Sequence, residues 1–165
     1  VINRVDALQS HNDFNIVAVS NIRVCLMHKQ VAPNTMQNKS KDQVVVAEVI
    51  DFFSVRVDTC LAAGIIESNI ILDPGIRFGK TLEHNLTLLT HIKQLKSLGF
   101  QVLIGVSRKS LIGDLLNEPT ENILFGSLAI AQFAYMNDVD LFRVHDVKAT
   151  ADVLKITQAL LTHNK

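Results

Sequence analysis

Residues 69–75 read NIILDPG, and this stretch decides the fold. The apolar run Ile70, Ile71 and Leu72 predicts a strand that is buried on both faces, and the Asp-Pro-Gly after it predicts a turn. A strand without polar alternation is typical of a parallel sheet covered by helices. The carboxylate of Asp73 therefore stands at the carboxyl end of a buried strand, where ligands of such sheets bind.

Strand-like and helix-like runs alternate on both sides of this stretch. The predicted strands are 1–5, 23–28, 69–75, 101–106 and 140–145, and the predicted helices are 42–63, 81–98, two pieces around 117–120, and 149–161. A short amphipathic piece at 13–19 and a polar loop at 29–41 complete the chain. Asp42 is the expected N-cap of the first long helix, and Gly64 is its expected C′ residue. The alternation predicts one α/β domain over residues 1–165, either an open doubly wound sheet or part of a (β/α)₈ barrel.

The composition supports this class and disfavours several others. Hydrophobic residues make up 48% of the chain and aromatic residues only 5%, with no Trp, so the core must be aliphatic. Sixteen basic residues balance sixteen acidic ones, which gives no electrostatic signature of nucleic-acid or membrane binding. No apolar run reaches membrane-spanning length. Cys25 and Cys60 are predicted to be buried reduced thiols, which indicates a cytoplasmic protein.

Polar residues follow the predicted strands at one edge of the sheet. Arg143 and His145 are two residues apart on one strand, so their side chains are expected to share a face. Together with Lys109 and Arg108 from the preceding strand's loop, they could hold a phosphate or diphosphate. Asp73 could accept two parallel hydrogen bonds from a planar donor pair. Each residue alone could be a solvated or ion-paired residue at the edge of the sheet, but together they predict a ligand-binding site.

The motifs at these strand ends occur in a known order. CLMH (25–28), LDPGIRFGK (72–80), GVSRKSLIG (105–113), GS before an Ala-rich helix (126–134) and RVHDV (143–147) follow one another as in dihydropteroate synthases, and INRV (2–5) resembles that family's fourth strand. The chain resembles this family over essentially its whole length. The resemblance implies a partial (β/α)₈ TIM barrel, strands four to eight with their helices.

The resemblance also implies an activity and residue roles. The family joins 7,8-dihydropterin-6-ylmethyl diphosphate to p-aminobenzoate in folate biosynthesis and is the sulfonamide target. By resemblance, Asp73 and Asn3 hold the pterin, Lys109 reaches the pterin and borders the p-aminobenzoate pocket, and Arg143 and His145 bind the diphosphate. The remaining implied substrate contacts are Met27, Phe78, Gly105, Ser107, Arg108 and Ser110.

The chain departs from the family pattern at two positions and in length. Arg4 replaces a usual Asp after Asn3, and Arg77 replaces a usual Gly before Phe78, so the shape of the site around these residues could change. The family's first three strands are missing before Val1, as though the chain began at a cut edge. The implied Mg²⁺ has its main ligand in that missing part. The isolated chain is therefore expected to be inactive, and its open strand edges predict poor solubility or self-association.

A homodimer is expected, and three functions other than that of a synthase stay open. The resemblance implies a homodimer through the later helices, within 82–98, 123–136 and 149–161. One alternative is a non-catalytic truncated fragment. A second is a folate-linked corrinoid methyltransferase, which also binds a pterin in a barrel. A third is a Schiff-base aldolase that uses Lys109.

Overall fold

The fold consists of short strands that alternate with helices. The computed structural model describes residues 1–4, 17–29 and 41–163, except for the side chains of residues 3, 4 and 41–43. The strands are β1 (Ile2–Arg4), β2 (Val24–Met27), β3 (Ile70–Asp73), β4 (Gln101–Ile104) and β5 (Leu141–Phe142). The helices are α1 (Lys41–Ala62), α2 (Leu82–Thr90), α3 (Ile92–Lys96), α4 (Ser110–Leu116), α5 (Leu124–Met136) and α6 (Val147–His163).

The strand order separates the two architectures that the sequence left open. All neighbouring strands are parallel, and they follow one another in the sheet in chain order, β1-β2-β3-β4-β5. A doubly wound sheet reverses its order at a switch point, whereas a (β/α)₈ barrel adds each strand beside the last. The sheet is therefore a barrel segment, with β1 and β5 at its edges.

The two faces of the sheet have different roles. Alternate residues of β2, β3 and β4 lie in one core with the helices, namely Val24, Leu26, Ile70, Leu72, Val102 and Ile104. The intervening residues of β2 and β3 point the other way and are also buried. The register places Met27 beside Asp73 on this second face. Asp73 therefore ends a strand whose two faces are both buried.

Helix α1 covers the sheet with one apolar stripe. Its buried positions include Val45, Val49, Phe53, Val57 and Cys60, which follow at spacings of four and three residues along one face of the helix. Gly64 follows the helix with φ +86°, as predicted for a C′ residue. The side chain of Asp42 lies outside the described residues, so its predicted capping role stays a prediction.

The predicted helix 81–98 is interrupted, and this part of the prediction was wrong. Thr81 caps α2 by accepting a hydrogen bond from the backbone N–H of His84. The helix ends at Thr90, and α3 begins after His91. The Thr90 hydroxyl donates to the carbonyls of Leu86 and Thr87. Such side-chain bonds compete with the helical ladder and favour a break.

The last strand is shorter than the predicted range 140–145. The ladder of β5 continues as far as the N–H of Arg143, which donates to the carbonyl of Ile104 at 3.0 Å. The N–H of His145 instead donates to the Ser107 hydroxyl. Arg143 and His145 consequently do not share the face of one strand.

Both cysteines are buried and free, as predicted. Burial raises the pKa of the Cys25 thiol to about 12, with a further contribution from the Asp73 carboxylate. Burial also raises the pKa of Cys60 to about 11. Both thiols are therefore protonated and unreactive near neutral pH. Among the described segments of the chain, no helix is long and apolar enough to cross a membrane.

Candidate active site

A buried carboxylate lies at the centre of the site. Asp73 has an exposed fraction of only 1%. Its Oδ1 accepts the backbone N–H of Gly75 at 2.8 Å, and its Oδ2 accepts Nη2 of Arg143 at 2.8 Å. The carboxylate is thus oriented by its own turn and paired with a cation seventy positions later. The structure brings these two predicted site residues into direct contact.

The guanidinium of Arg143 fits where a glycine leaves room. A Cβ added at Gly105 would lie 2.7 Å from Nη2 of Arg143, so the guanidinium can keep this position only beside a glycine. The Arg143 side chain is 39% exposed, so it reaches the rim of the site. Its Nη1 is buried and has no hydrogen-bond partner among the described residues. Arg143 therefore keeps one donor that this arrangement does not use.

Lys109 adds a second cation to the same rim. Its ammonium donates to the Ile76 carbonyl and lies 4.7 Å from the centroid of the Phe78 ring. Burial lowers the pKa of Lys109 to about 8, the nearby Asp73 carboxylate opposes this, and Arg143 and Arg77 add to it. Lys109 is therefore mainly charged at neutral pH, in electrostatic reach of both Asp73 and Arg143.

The loops after β4 and β5 contact each other through two pairs. The Ser107 hydroxyl accepts the His145 N–H at 3.2 Å and lies 3.2 Å from its Nδ1. Arg108 forms two parallel hydrogen bonds to Asp146, at 2.9 and 2.6 Å. This pairing lowers the pKa of the Asp146 carboxyl. Arg108 is thus engaged with Asp146 in this structure, and its substrate contact stays a prediction.

Arg77 lies between the β3 loop and helix α4. It adopts φ +77°, and its N–H donates to Oδ1 of Asn85 at 2.6 Å. Its Nε donates to the Ser110 hydroxyl at 2.5 Å, and its Nη1 lies 3.4 Å from Asp114. The side chain therefore packs along α4 rather than pointing freely into solvent. The hydroxyl of Ser110, a predicted substrate contact, thus accepts a hydrogen bond from Arg77, and its contact with substrate stays a prediction.

Lys80 is a site residue that the sequence analysis missed. Its side chain is buried, and its ammonium donates to the carbonyls of Gly75 at 3.1 Å, His28 at 3.3 Å and Phe78 at 3.5 Å. Burial lowers its pKa to about 8. This ammonium ties the end of β2 to the loop after β3. A lysine after a glycine turn usually lies on the surface, so only its place in the FGK string could have indicated this role.

The loop after β2 is packed tightly against the β3 turn. The N–H of His28 donates to the Asp73 carbonyl at 2.9 Å. The His28 ring is buried against Phe52, with centroids 4.9 Å apart, and its Nε2 lies 3.9 Å from Glu48. Burial, with a contribution from Lys80, lowers the pKa of His28 to about 4. The imidazole is therefore neutral at physiological pH.

We expect this buried histidine to make the fold sensitive to mild acid. Its pKa is about 4 in the folded chain and 6.5 ordinarily, so below pH 6.5 the unfolded chain binds more protons than the folded one. Stability should therefore fall by about 3 kcal/mol as the pH drops from 6.5 to 4. Urea unfolding of the wild type and of His28→Gln over this range measures the contribution. The variant should lose most of the slope, and His163→Gln on α6 should keep it; equal slopes in all three proteins would contradict the assignment.

Asn3 and Met27, two predicted substrate contacts, belong to the neighbouring strands β1 and β2. The register pairs Asn3 with Cys25 in the sheet, but the Asn3 side chain lies outside the described residues, as does that of Arg4. Met27 is buried next to Asp73.

Within residues 1–4, 17–29 and 41–163, no three His, Cys, Asp or Glu side chains converge to hold an ion. The described residues do not supply a magnesium site, and the predicted cofactor stays a prediction.

The fold and site together define a class. A parallel sheet in barrel order, with a carboxylate, an ammonium and a guanidinium at the carboxyl ends of its strands, is the arrangement of a (β/α)-barrel protein with a strand-end ligand site. The profile of the family described as pterin binding enzyme matches residues 1–145. The chain belongs to this family.

Individual relatives agree with this assignment. The dihydropteroate synthase of Neisseria meningitidis serogroup C is 45% identical over 163 residues, which cover 97% of this chain and 58% of the relative. The crystal structure of 7,8-dihydropteroate synthase from Vibrio fischeri superposes with a TM-score of 0.90 at 41% identity, over 99% of this chain and 61% of that one.

A third relative was solved with a ligand. The dihydropteroate synthase from Xanthomonas albilineans in complex with 7,8-dihydropteroate gives a TM-score of 0.88 at 40% identity, over 97% of this chain and 58% of that one. The chain thus spans about 58% of the length of the curated relative quoted above and a similar share of both solved structures.

Proposed function

We propose that the protein represented by this chain is a dihydropteroate synthase. It would join 7,8-dihydropterin-6-ylmethyl diphosphate to p-aminobenzoate and release pyrophosphate. The observation that carries the proposal is the buried Asp73 carboxylate, held between the Gly75 N–H and Arg143 on the rim that also bears Lys109. The likeness to synthases, including one solved with 7,8-dihydropteroate, supports it.

The binding roles follow from charge and geometry. The amino-pyrimidine edge of a pterin offers adjacent N–H donors, and a carboxylate fixed by its own turn can accept them. Arg143 and His145 reach the rim, where a diphosphate could accept their hydrogen bonds. Phe78, under the Lys109 ammonium, offers an aromatic wall for the second substrate.

The reaction requires stabilisation of charge more than proton transfer. The aromatic amine nitrogen forms a bond to the methylene carbon, the carbon–oxygen bond to the diphosphate breaks, pyrophosphate leaves with the electron pair, and the amine releases one proton. Positive charge develops on the pterin ring, and Asp73 would oppose it. Arg143 and His145 would stabilise the departing anion. No strong base is required, because the amine is already nucleophilic.

The proposal is tested by product formation in a completed barrel. In a chimaera, the N-terminal part of the Neisseria meningitidis synthase, which this chain does not match, precedes Val1. We expect the chimaera to form 7,8-dihydropteroate only with both substrates, as measured by liquid chromatography. The 165-residue chain alone, which spans only 58% of this relative, should form none. A folded chimaera that binds methyltetrahydrofolate but forms no dihydropteroate would overturn the proposal in favour of a corrinoid methyltransferase.

We also propose a homodimer and a cytoplasmic location. Helices α5 and α6 carry exposed apolar side chains, including Phe125 at 80%, Ile156 at 63% and Leu160 at 64% exposure. Such residues are rare on monomer surfaces when they are clustered. They support a homodimer through the later helices, and a cytoplasmic location accords with the two reduced thiols.

A further inference from the structure

We propose that Arg143 makes the site selective for a pterin that carries its diphosphate, by exchanging Asp73 for the diphosphate when the substrate binds. The inference rests on the proposed function and goes beyond it. Arg143 would pair with Asp73 in the free site and with the diphosphate once the substrate is bound. It predicts that the two halves of the substrate bind cooperatively, although they contact different strands.

Arg143 and the pterin edge compete for one side of the Asp73 carboxylate. Oδ1 of Asp73 is held by the Gly75 N–H two residues away, which the covalent turn keeps in place. Oδ2 is the other acceptor, and Nη2 of Arg143 occupies it at 2.8 Å. Each carboxylate oxygen can accept two hydrogen bonds, but with Arg143 in place Asp73 is only 1% exposed. A planar pair of donors on a pterin edge therefore reaches Oδ2 only when Arg143, which is 39% exposed and lies on that oxygen, moves aside.

Arg143 loses its carboxylate partner when it leaves Asp73. The amino-pyrimidine edge is neutral, so it replaces the hydrogen bond of Arg143 but not its charge pairing. A displaced guanidinium next to the Lys109 ammonium needs a new anion. A diphosphate on the rim supplies one, whereas a bare pterin does not. A pterin without a diphosphate, called bare pterin below, therefore breaks the ion pair between Asp73 and Arg143 and offers Arg143 no other anion.

The Arg143 side chain is placed to exchange one anion for another. Arg143 uses Nη2 on Asp73, while its Nη1 is buried without a partner among the described residues. The guanidinium is 39% exposed, and the absent side chain of Gly105 leaves space beside it. A guanidinium with an unused buried donor gains a hydrogen bond when it moves to an anion with several acceptor oxygens.

The experiment measures coupling between the two halves of the substrate. Isothermal titration of the chimaera gives the Kd of 6-hydroxymethylpterin with and without saturating inorganic pyrophosphate. We expect pyrophosphate to tighten pterin binding about tenfold, within the usual range of coupling between sites. In Arg143→Gln, bare pterin should bind more tightly than to the wild type, and pyrophosphate should no longer have an effect.

A second variant separates the exchange from a loss of charge. In Gly105→Ala, the new methyl group would displace the guanidinium from Asp73 but leave the charge present. Bare pterin and bare pyrophosphate should then each bind more tightly than to the wild type, and their coupling should shrink. Arg56→Gln on α1 removes the same charge elsewhere and should behave like the wild type. This pattern cannot come from a merely structural role of Arg143, because loss of a structural contact weakens binding.

The outcomes distinguish this inference from the proposed function. If pterin binds to the wild type, but its Kd is indifferent to pyrophosphate and is not improved in either variant, the exchange is wrong and pterin binding stands. If no folded variant, judged by circular dichroism, binds pterin or pyrophosphate, the proposed function fails and the inference fails with it.

Discussion

Replacing Asp73 with Asn should lower kcat/KM of the chimaeric synthase by about 10³-fold, the scale of losing one preorganised electrostatic group. Asn has the same shape, but its amide presents a donor where the carboxylate presents an acceptor to the pterin edge. It also removes the negative charge that opposes the positive charge developing on the ring. The loss should appear in kcat as well as in KM, since this charge matters most in the transition state.

A second ion pair supplies the control for this substitution. Asp140 accepts the Lys96 ammonium at 2.5 Å and the Val102 N–H at 2.7 Å, so it resembles Asp73 in having one cation and one backbone donor. It lies just before β5, at the opposite end of the sheet from Asp73. Asp140→Asn should reduce stability but leave kcat/KM within about twofold. If Asp73→Asn retains a tenth or more of the wild-type kcat/KM, the role assigned to Asp73 is wrong.

Gly75→Ala should cause the largest loss of stability, about 3 kcal/mol or more. The added Cβ would lie 1.9 Å from the carbonyl oxygen of His28, which is backbone and cannot rotate away. Gly75 also has φ +65°, a conformation that disfavours any side chain. The loop after β3 would have to move away from β2, which would disturb both Asp73 and Lys80. Urea unfolding measures the change in free energy.

Gly99→Ala separates steric overlap from backbone conformation. Gly99 has φ +87°, but an added Cβ there has no atom within 4 Å. Its substitution should cost about 1 kcal/mol, which is the backbone effect alone. Equal losses in the two variants would show that the close approach to His28 is not what requires a glycine at position 75.

The sequence predicted the positions where the site residues leave the sheet. Continuous apolar runs located β2, β3 and β4 within two residues at each end, because strands buried on both faces carry an unambiguous signal. The turn after Asp73 could be predicted because proline and glycine restrict and permit particular backbone angles. These local rules sufficed to place Asp73 and Lys109 at one end of the sheet.

Pairing between distant residues could not be predicted from such rules. Nothing near Arg143 in the sequence indicates that its partner is Asp73, since the contact depends on the sheet register and on the space at Gly105. The burial of Lys80 likewise depends on three carbonyls from two loops. The final strand was predicted too long because Arg143-Val144-His145 has strand-like alternation, whereas the Ser107 hydroxyl draws the backbone out of the ladder.

The most direct measurement is a crystal structure of the chimaera grown with 7,8-dihydropterin-6-ylmethyl diphosphate. The amino-pyrimidine edge should lie within 3.2 Å, roughly hydrogen-bonding distance, of both Asp73 oxygens, with Arg143 turned to the diphosphate. Density for the pterin away from the carboxyl ends of β3 and β4, with Asp73 still bound to Arg143, would contradict the account.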